Sequence, residues 1–165
     1  MSKIFKIIAV IAGVSAAAIS ANAQEAIERN DEGRHFYSTI EVPANADQLY
    51  VSGKGPAAIN NEAEGVARYG TTEQQARSTF GRIKEAVEAA GWSMSDIVMV
   101  RVYLVADPEM GKMDFSGFNT AYREFFGTDE QPNKPVRAVV EISGLAVDGW
   151  LVEIDVRGAR MPASN

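Results

Sequence analysis

The chain has 165 residues, a formal net charge of −6, no cysteine and one histidine, His35. Without cysteine it can form no disulfide and offers no thiolate nucleophile or thiolate metal ligand, and a lone histidine argues against a multi-histidine site. The acidic balance argues against a nucleic-acid-binding surface, which needs clustered lysine and arginine.

The N-terminus has the pattern of a secretory signal peptide. A short basic stretch with two lysines precedes an almost wholly apolar run over residues 7–19, and Ala21-Asn22-Ala23 is a cleavage-like triplet. A membrane anchor is the alternative, but a spanning helix needs about 20 apolar residues. We therefore expect residues 1–23 to be removed. We expect residues 24–165 to fold as one domain in the bacterial periplasm or outside the cell, with no stable membrane anchor.

The first half of the remaining chain predicts two strands and a helix. Strands over residues 34–42 and 48–55 flank the turn-rich PANAD and predict a hairpin. The polar residues 24–33 before them are expected to be a frayed lead-in, and residues 56–70 have no clean period and predict a loop. Residues 71–91 predict the longest helix, because apolar residues recur at helical spacing along it.

The ends of that helix also carry signals. Thr72 and Gln75 have the spacing of a capping box, and Gly91 is suited to the position just after the last helical turn.

The second half predicts a buried strand over residues 96–105, an aromatic helix over 115–127 and two strands within 134–158. A Gly-bounded turn suggests that the last two strands form a hairpin. Successive side chains of a strand point to opposite faces, so Glu153, Asp155 and Arg157 are expected to share one face.

The element order β-β-α-β-α-β-β predicts an α+β sandwich in which both helices cover one face of a sheet. The other face is half apolar and half charged, which suggests that it meets another copy of the chain.

The sequence resembles the RidA/YjgF family of reactive-intermediate deaminases over residues 36–160. The stretches that carry the resemblance are LYVSGKGP, EAAGWSMSDIVMVRVYL, FNTAYREFF and PVRAVVEISGLAVDGWLVEID, in this order and spacing. It implies a chorismate-mutase-like fold in a homotrimer with a barrel-like centre and three clefts between subunits. It also implies hydrolysis of reactive 2-imino or enamine acids to 2-oxo acids and ammonia, on a small carboxylate substrate and without cofactor or metal.

The resemblance assigns roles to individual residues. Arg137 matches the arginine that holds the substrate carboxylate, and Glu153 matches the acidic residue associated with the attacking water. Four further positions match residues that line the cleft: Tyr37, Ser52, Gly53 and Asn119. The chain departs from the family pattern at Lys54, where glutamine is common, and in residues 56–70, and both departures leave the substrate open.

The residue types alone leave more than one role open for Arg137 and for Glu153. Arg137 suits a carboxylate because its planar guanidinium can donate two parallel hydrogen bonds, but it could instead pair with Glu141 or Asp155. Glu153 could act as a general base or be a solvated strand carboxylate. Whether Arg137 and Glu153 act from one subunit or two stays open, and a non-catalytic binding or protein-protecting module using the same clefts is the alternative function.

Export makes the first testable prediction. We expect the mature protein in a periplasmic extract to begin at Gln24, which intact-mass spectrometry can determine. Recovery of the soluble chain from the cytosol with Met1 intact would contradict the signal peptide.

Overall fold

The computed structural model describes residues 26–163, so the predicted signal peptide lies outside the described residues. The strands are β1 Glu28–Glu32, β2 Tyr37–Glu41, β3 Asp47–Lys54, β4 Ile97–Val105, β5 Val136–Ile142 and β6 Val152–Arg160. The helices are α1 Gly65–Tyr69, α2 Thr72–Ala89 and α3 Phe115–Tyr122, with a 3₁₀ turn at Met94–Asp96. The predicted element order is confirmed from β2 onwards, with β1 and α1 added to it. No helix within residues 26–163 has the length and apolarity needed to span a membrane.

The two predicted hairpins are wrong. β1 and β2 pair with each other in a separate two-stranded sheet, so the expected lead-in contains a strand. The main sheet has the order β3-β6-β4-β5, in which β6 is antiparallel to β3 and to β4, and β4 is parallel to β5. A parallel pair needs a crossover, which α3 provides between β4 and β5, and β6 then inserts between β3 and β4.

Both long helices belong to one layer that covers one face of this sheet. Phe80 of α2 and Phe118 and Tyr122 of α3 are fully buried and pack ring against ring at centroid distances of about 6 Å. Alternate residues of the two central strands complete this core: Val100, Val102, Leu104, Val152, Ile154 and Val156. The predicted arrangement of helices on one face is therefore confirmed.

The start of α2 differs from the prediction by one residue. Thr71 is the N-cap, and its side chain and that of Gln74 form the capping box with each other's backbone N–H groups. Gln75, which was expected to complete that box, is instead fully buried. Gly91 follows the helix with φ = 77°, as its predicted stop position favours.

The buried Gln75 amide bonds to three backbone groups in two separate segments. Its Nε2 donates to the carbonyl oxygens of Gly70 and Gly149, each at 2.9 Å, and its Oε1 accepts from the Leu151 amide at 2.7 Å. Since a buried polar group is costly without a partner, this side chain ties the start of α2 to the residues that lead into β6.

This amide makes a stability prediction. Gln75→Ala leaves three backbone groups without their partner, so the free energy of unfolding should fall by about 2–4 kcal/mol. Gln74→Ala, the matched control one residue earlier, loses only an exposed cap contact and should cost about 1 kcal/mol. Chemical denaturation of both variants would measure the difference, and equal losses would contradict the cross-linking role of Gln75.

Candidate functional site

Arg137 lies near the start of β5, on the face that meets the helices. Its register partner on β4 is Val100, which is fully buried in the core, and paired residues of neighbouring strands share a face. The guanidinium is half-buried, and this burial lowers the pKa of Arg137, although an arginine remains charged at any ordinary pH.

The surroundings of this guanidinium are aromatic and neutral. Four rings lie within 6 Å of its central carbon, and Tyr122 is nearest at 4.4 Å; the others are Phe36, Phe115 and Phe118. One arginine N–H donates to the Asn119 Oδ1 at 2.8 Å, while the Asn119 Nδ2 donates to the Phe115 carbonyl at 2.8 Å. We call Arg137, Asn119 and these four rings the arginine pocket.

The alternative ion pairs of Arg137, with Glu141 or with Asp155, do not form within residues 26–163. Asp155 instead pairs with Arg101, with an N–O distance of 2.8 Å, and Glu141 accepts from the Met113 amide at 2.6 Å. The asparagine amide is therefore the one hydrogen-bond partner that the described part of the chain gives to Arg137. A planar cation with free donors in a part-buried apolar pocket is suited to a carboxylate ligand.

The predicted residues Ser52, Gly53 and Glu153 come together on the opposite face of the sheet. Val51 pairs with Val156 and Lys54 with Ile154, so Ser52 and Gly53 both lie opposite Asp155 in a β-bulge. A Cβ atom added to Gly53 would collide with the Glu153 carboxylate. Glycine at this position therefore allows the carboxylate to lie directly against the strand, and we call these three residues the carboxylate edge.

Arg137 and Glu153 are therefore separated by the sheet within one chain. Glu153 pairs with Tyr103 on β4, and Tyr103 pairs in turn with Val140 on β5, which belongs to the open face. The simple hairpin that would place Glu153 directly beside Val140 is wrong, because β4 runs between the two strands.

Tyr37, predicted to line the cleft, lies apart from the Arg137 guanidinium within one chain. Tyr37 is the first residue of β2 and pairs with Glu32 of β1. Its neighbour Phe36 provides the ring at 5.6 Å from Arg137, whereas Tyr37 is not among the rings around that guanidinium within the described residues. Phe36 could not be identified from the sequence, because nothing in its local pattern shows that the β1–β2 turn reaches α3.

A long-range hydrogen bond holds this turn in place. The Tyr122 hydroxyl donates to the His35 carbonyl at 2.7 Å, and burial raises the pKa of Tyr122 well above its ordinary value, so the hydroxyl remains a donor. The aromatic residues of α3 therefore pack in the core and also line the arginine pocket.

The family model described as Endoribonuclease L-PSP matches residues 29–159. The chain belongs to the RidA/YjgF family. Similar family proteins include a RutC family protein of Sulfurisphaera tokodaii, which is 39% identical over 108 residues, or 66% of this chain and 76% of that one. A RutC family protein of Pyrococcus horikoshii is 36% identical over 107 residues, or 65% of this chain and 75% of the relative.

The fold is shared with solved members of the family. The crystal structure of a Rid family protein of unknown function, YyfB of Yersinia pestis, superposes with a TM-score of 0.60 at 20% identity. The match covers 76% of this chain and 87% of that chain. This superposition supports the fold. The roles of individual site residues are inferred from their own geometry.

His35 is a direct probe of the arginine pocket. Burial, and then the positive charges of Arg137, Arg34, Arg123 and Lys134, lower the pKa of His35 below its ordinary value. Arg137→Gln removes one of these charges without removing the burial, so the pKa of His35 should rise part of the way back towards 6.5.

An NMR titration of the single histidine ring would measure this shift. Lys84→Gln removes a positive charge on the exposed side of α2 and is the matched control, for which no shift is expected. An unchanged pKa in Arg137→Gln would show that the guanidinium does not act on His35.

Proposed function

We propose that the protein hydrolyses 2-imino acids to 2-oxo acids and ammonia in clefts between the subunits of a homotrimer. The observation that carries the proposal is the half-buried Arg137 guanidinium, whose hydrogen-bond partner within residues 26–163 is a neutral amide. The carboxylate of a 2-imino acid would supply the missing negative charge through two parallel hydrogen bonds. Family membership supports the general class, and the arginine pocket supports this substrate group.

The chemistry requires little beyond positioning and one base. A water molecule held by Glu153 would add to the imine carbon, and Glu153 would take its proton and return it to the nitrogen. Glu153 would then take the hydroxyl proton of this carbinolamine and pass it to the amino nitrogen. The carbon–nitrogen bond breaks as the carbonyl forms, so ammonia leaves and the former water oxygen becomes the carbonyl oxygen of the 2-oxo acid. Fixing the carboxylate in the arginine pocket would contribute by orienting the imine carbon towards that water.

Two subunits are needed for this arrangement. Arg137 and Glu153 lie on opposite faces of one sheet, so a single chain does not present both to one substrate carbon. On the open face, Tyr50 and Val140 are 63% and 45% exposed, and packing this face against a second copy would bury them. We therefore propose that the arginine pocket of one subunit faces the carboxylate edge of its neighbour.

The family description names an endoribonuclease, so RNA cleavage is a second candidate activity. A net charge of −6 disfavours binding of RNA, which depends on neutralising phosphates with lysine and arginine. RNA cleavage that survives repeated purification and disappears in Arg137→Ala would favour that activity over imine hydrolysis.

A subunit-mixing experiment tests the proposal. Arg137→Ala and Glu153→Gln should each abolish the release of ammonia from imines made in situ by an amino-acid oxidase, while light scattering should still report three subunits. Trimers assembled from equal amounts of the two variants should recover about a quarter of the wild-type turnover. An intact cleft needs Arg137 from one subunit and Glu153 from its neighbour, and random assembly brings these together in about one cleft of four.

The control mixes Arg137→Ala with Asn119→Ala. Both substitutions damage the arginine pocket, so no cleft regains both partners and turnover should not exceed the mean of the two variants. Full turnover from an Arg137→Ala trimer would refute the carboxylate anchor, and no recovery in the first mixture would refute a shared cleft. Saturable binding of a 2-oxo acid without any turnover would instead establish a binding module.

A further inference from the structure

A cavity of about 590 Å³ opens beside the arginine pocket. It shares two lining residues with that pocket, Phe115 and Asn119. A ligand whose carboxylate binds Arg137 can therefore extend past Asn119 into this space. The charges of the other lining residues indicate which chemical group the cavity accepts.

Two cations line the cavity without a carboxylate partner. Lys112 and Arg123 take part in no ion pair within residues 26–163. The side chain of Arg123 makes one long hydrogen bond, from its Nη2 to the Thr120 hydroxyl at 3.4 Å. Glu124, which follows Arg123 in the chain, is held by Arg77 at 2.7 Å.

The two acidic residues of the cavity are each bound to backbone. The Asp114 Oδ1 accepts from the Gly117 amide at 2.8 Å, where it caps the start of α3. The Glu141 Oε2 accepts from the Met113 amide at 2.6 Å. Both carboxylates are therefore oriented by N–H groups, and neither of them forms an ion pair with Lys112 or Arg123.

Arg123 also lies on the side of α3 that leads to Arg137. It follows Asn119 by four residues, and residues four apart on a helix are neighbours with Cβ atoms about 5–6 Å apart. The positive charges of Arg137 and Arg123 both contribute to lowering the pKa of His35, after burial, which is consistent with both guanidinium groups lying near that ring.

We propose that this cavity binds a second anionic group of the substrate, with Arg123 and Lys112 as its partners. The preferred substrates are then 2-imino acids derived from acidic amino acids, with one carboxylate on Arg137 and the other in the cavity. The inference rests on the proposed imine hydrolysis for its substrate class. The anion site itself rests on the cavity and its two cations.

The imines of glutamate and glutamine provide a matched substrate pair. They differ in a terminal carboxylate against an amide of the same size, and amino-acid oxidases can generate both in situ. We expect wild-type kcat/KM to favour the glutamate imine by about tenfold or more, since one charge-assisted hydrogen bond can supply that factor. Arg123→Gln and Lys112→Gln should each lower kcat/KM for the glutamate imine more than for the glutamine imine, and so reduce the preference.

Lys84→Gln is the charge-matched control and should keep the wild-type preference, because Lys84 lies on the exposed side of α2. Equal turnover of the two imines by the wild type would overturn the anion site while leaving imine hydrolysis intact. A loss of both activities in Arg123→Gln would likewise overturn it, since that pattern indicates general damage to the cleft.

A binding measurement separates this inference from the proposed activity. 2-Oxoglutarate and 5-methyl-2-oxohexanoate, a chain of the same size without the second carboxylate, contain no imine to hydrolyse, and the His35 NMR signal can report their binding. Tighter binding of 2-oxoglutarate that depends on Arg123 would support the anion site even if no imine is hydrolysed, which would refute only the activity. Equal binding of the two compounds would overturn the anion site.

Discussion

The central position of β6 is the constraint on which the rest of the structure depends. Because β6 pairs with both β3 and β4, its alternate residues Val152, Ile154 and Val156 are buried against the helices while Glu153 and Asp155 lie on the open face. The Gln75 amide, bonded to Gly149 and Leu151, fixes the chain just before β6 begins. The same arrangement that builds the core therefore sets the position of the Glu153 carboxylate.

The second constraint is the charge of Arg137. A guanidinium withdrawn from water loses hydration, which is costly unless other groups replace it. Here four aromatic rings and one amide oxygen surround it, and each favourable cation–π contact contributes about 0.5–2 kcal/mol. These contacts hold the cation in place without neutralising it. The structure thereby keeps a positive charge available for an anionic ligand, which a structural ion pair with Glu141 or Asp155 would have removed.

The site is divided between two faces of one sheet, and this division links assembly to function. The arginine pocket is built by β5, α3 and the β1–β2 turn, whereas the carboxylate edge is built by the bulge of β3 and by β6. The open face also carries the Arg101–Asp155 pair and an Arg157 guanidinium 5.3 Å from the Tyr50 ring. A face with both apolar and complementary charged groups can fix the orientation of a neighbouring subunit, which the proposed shared cleft requires.

The sequence by itself determined which segments form the main helices and strands, because periodicity, capping residues and glycine stops are local signals. It also determined the family and, through the resemblance, the prediction that Arg137, Asn119 and Glu153 belong to the site. Strand order was decided only by tertiary structure, since a strand such as β6 has the same local pattern whether it pairs with β5 or inserts between β3 and β4. The role of Phe36, the bulge at Ser52 and Gly53 and the burial of Gln75 were likewise decided there, because each depends on contacts between residues far apart in the chain.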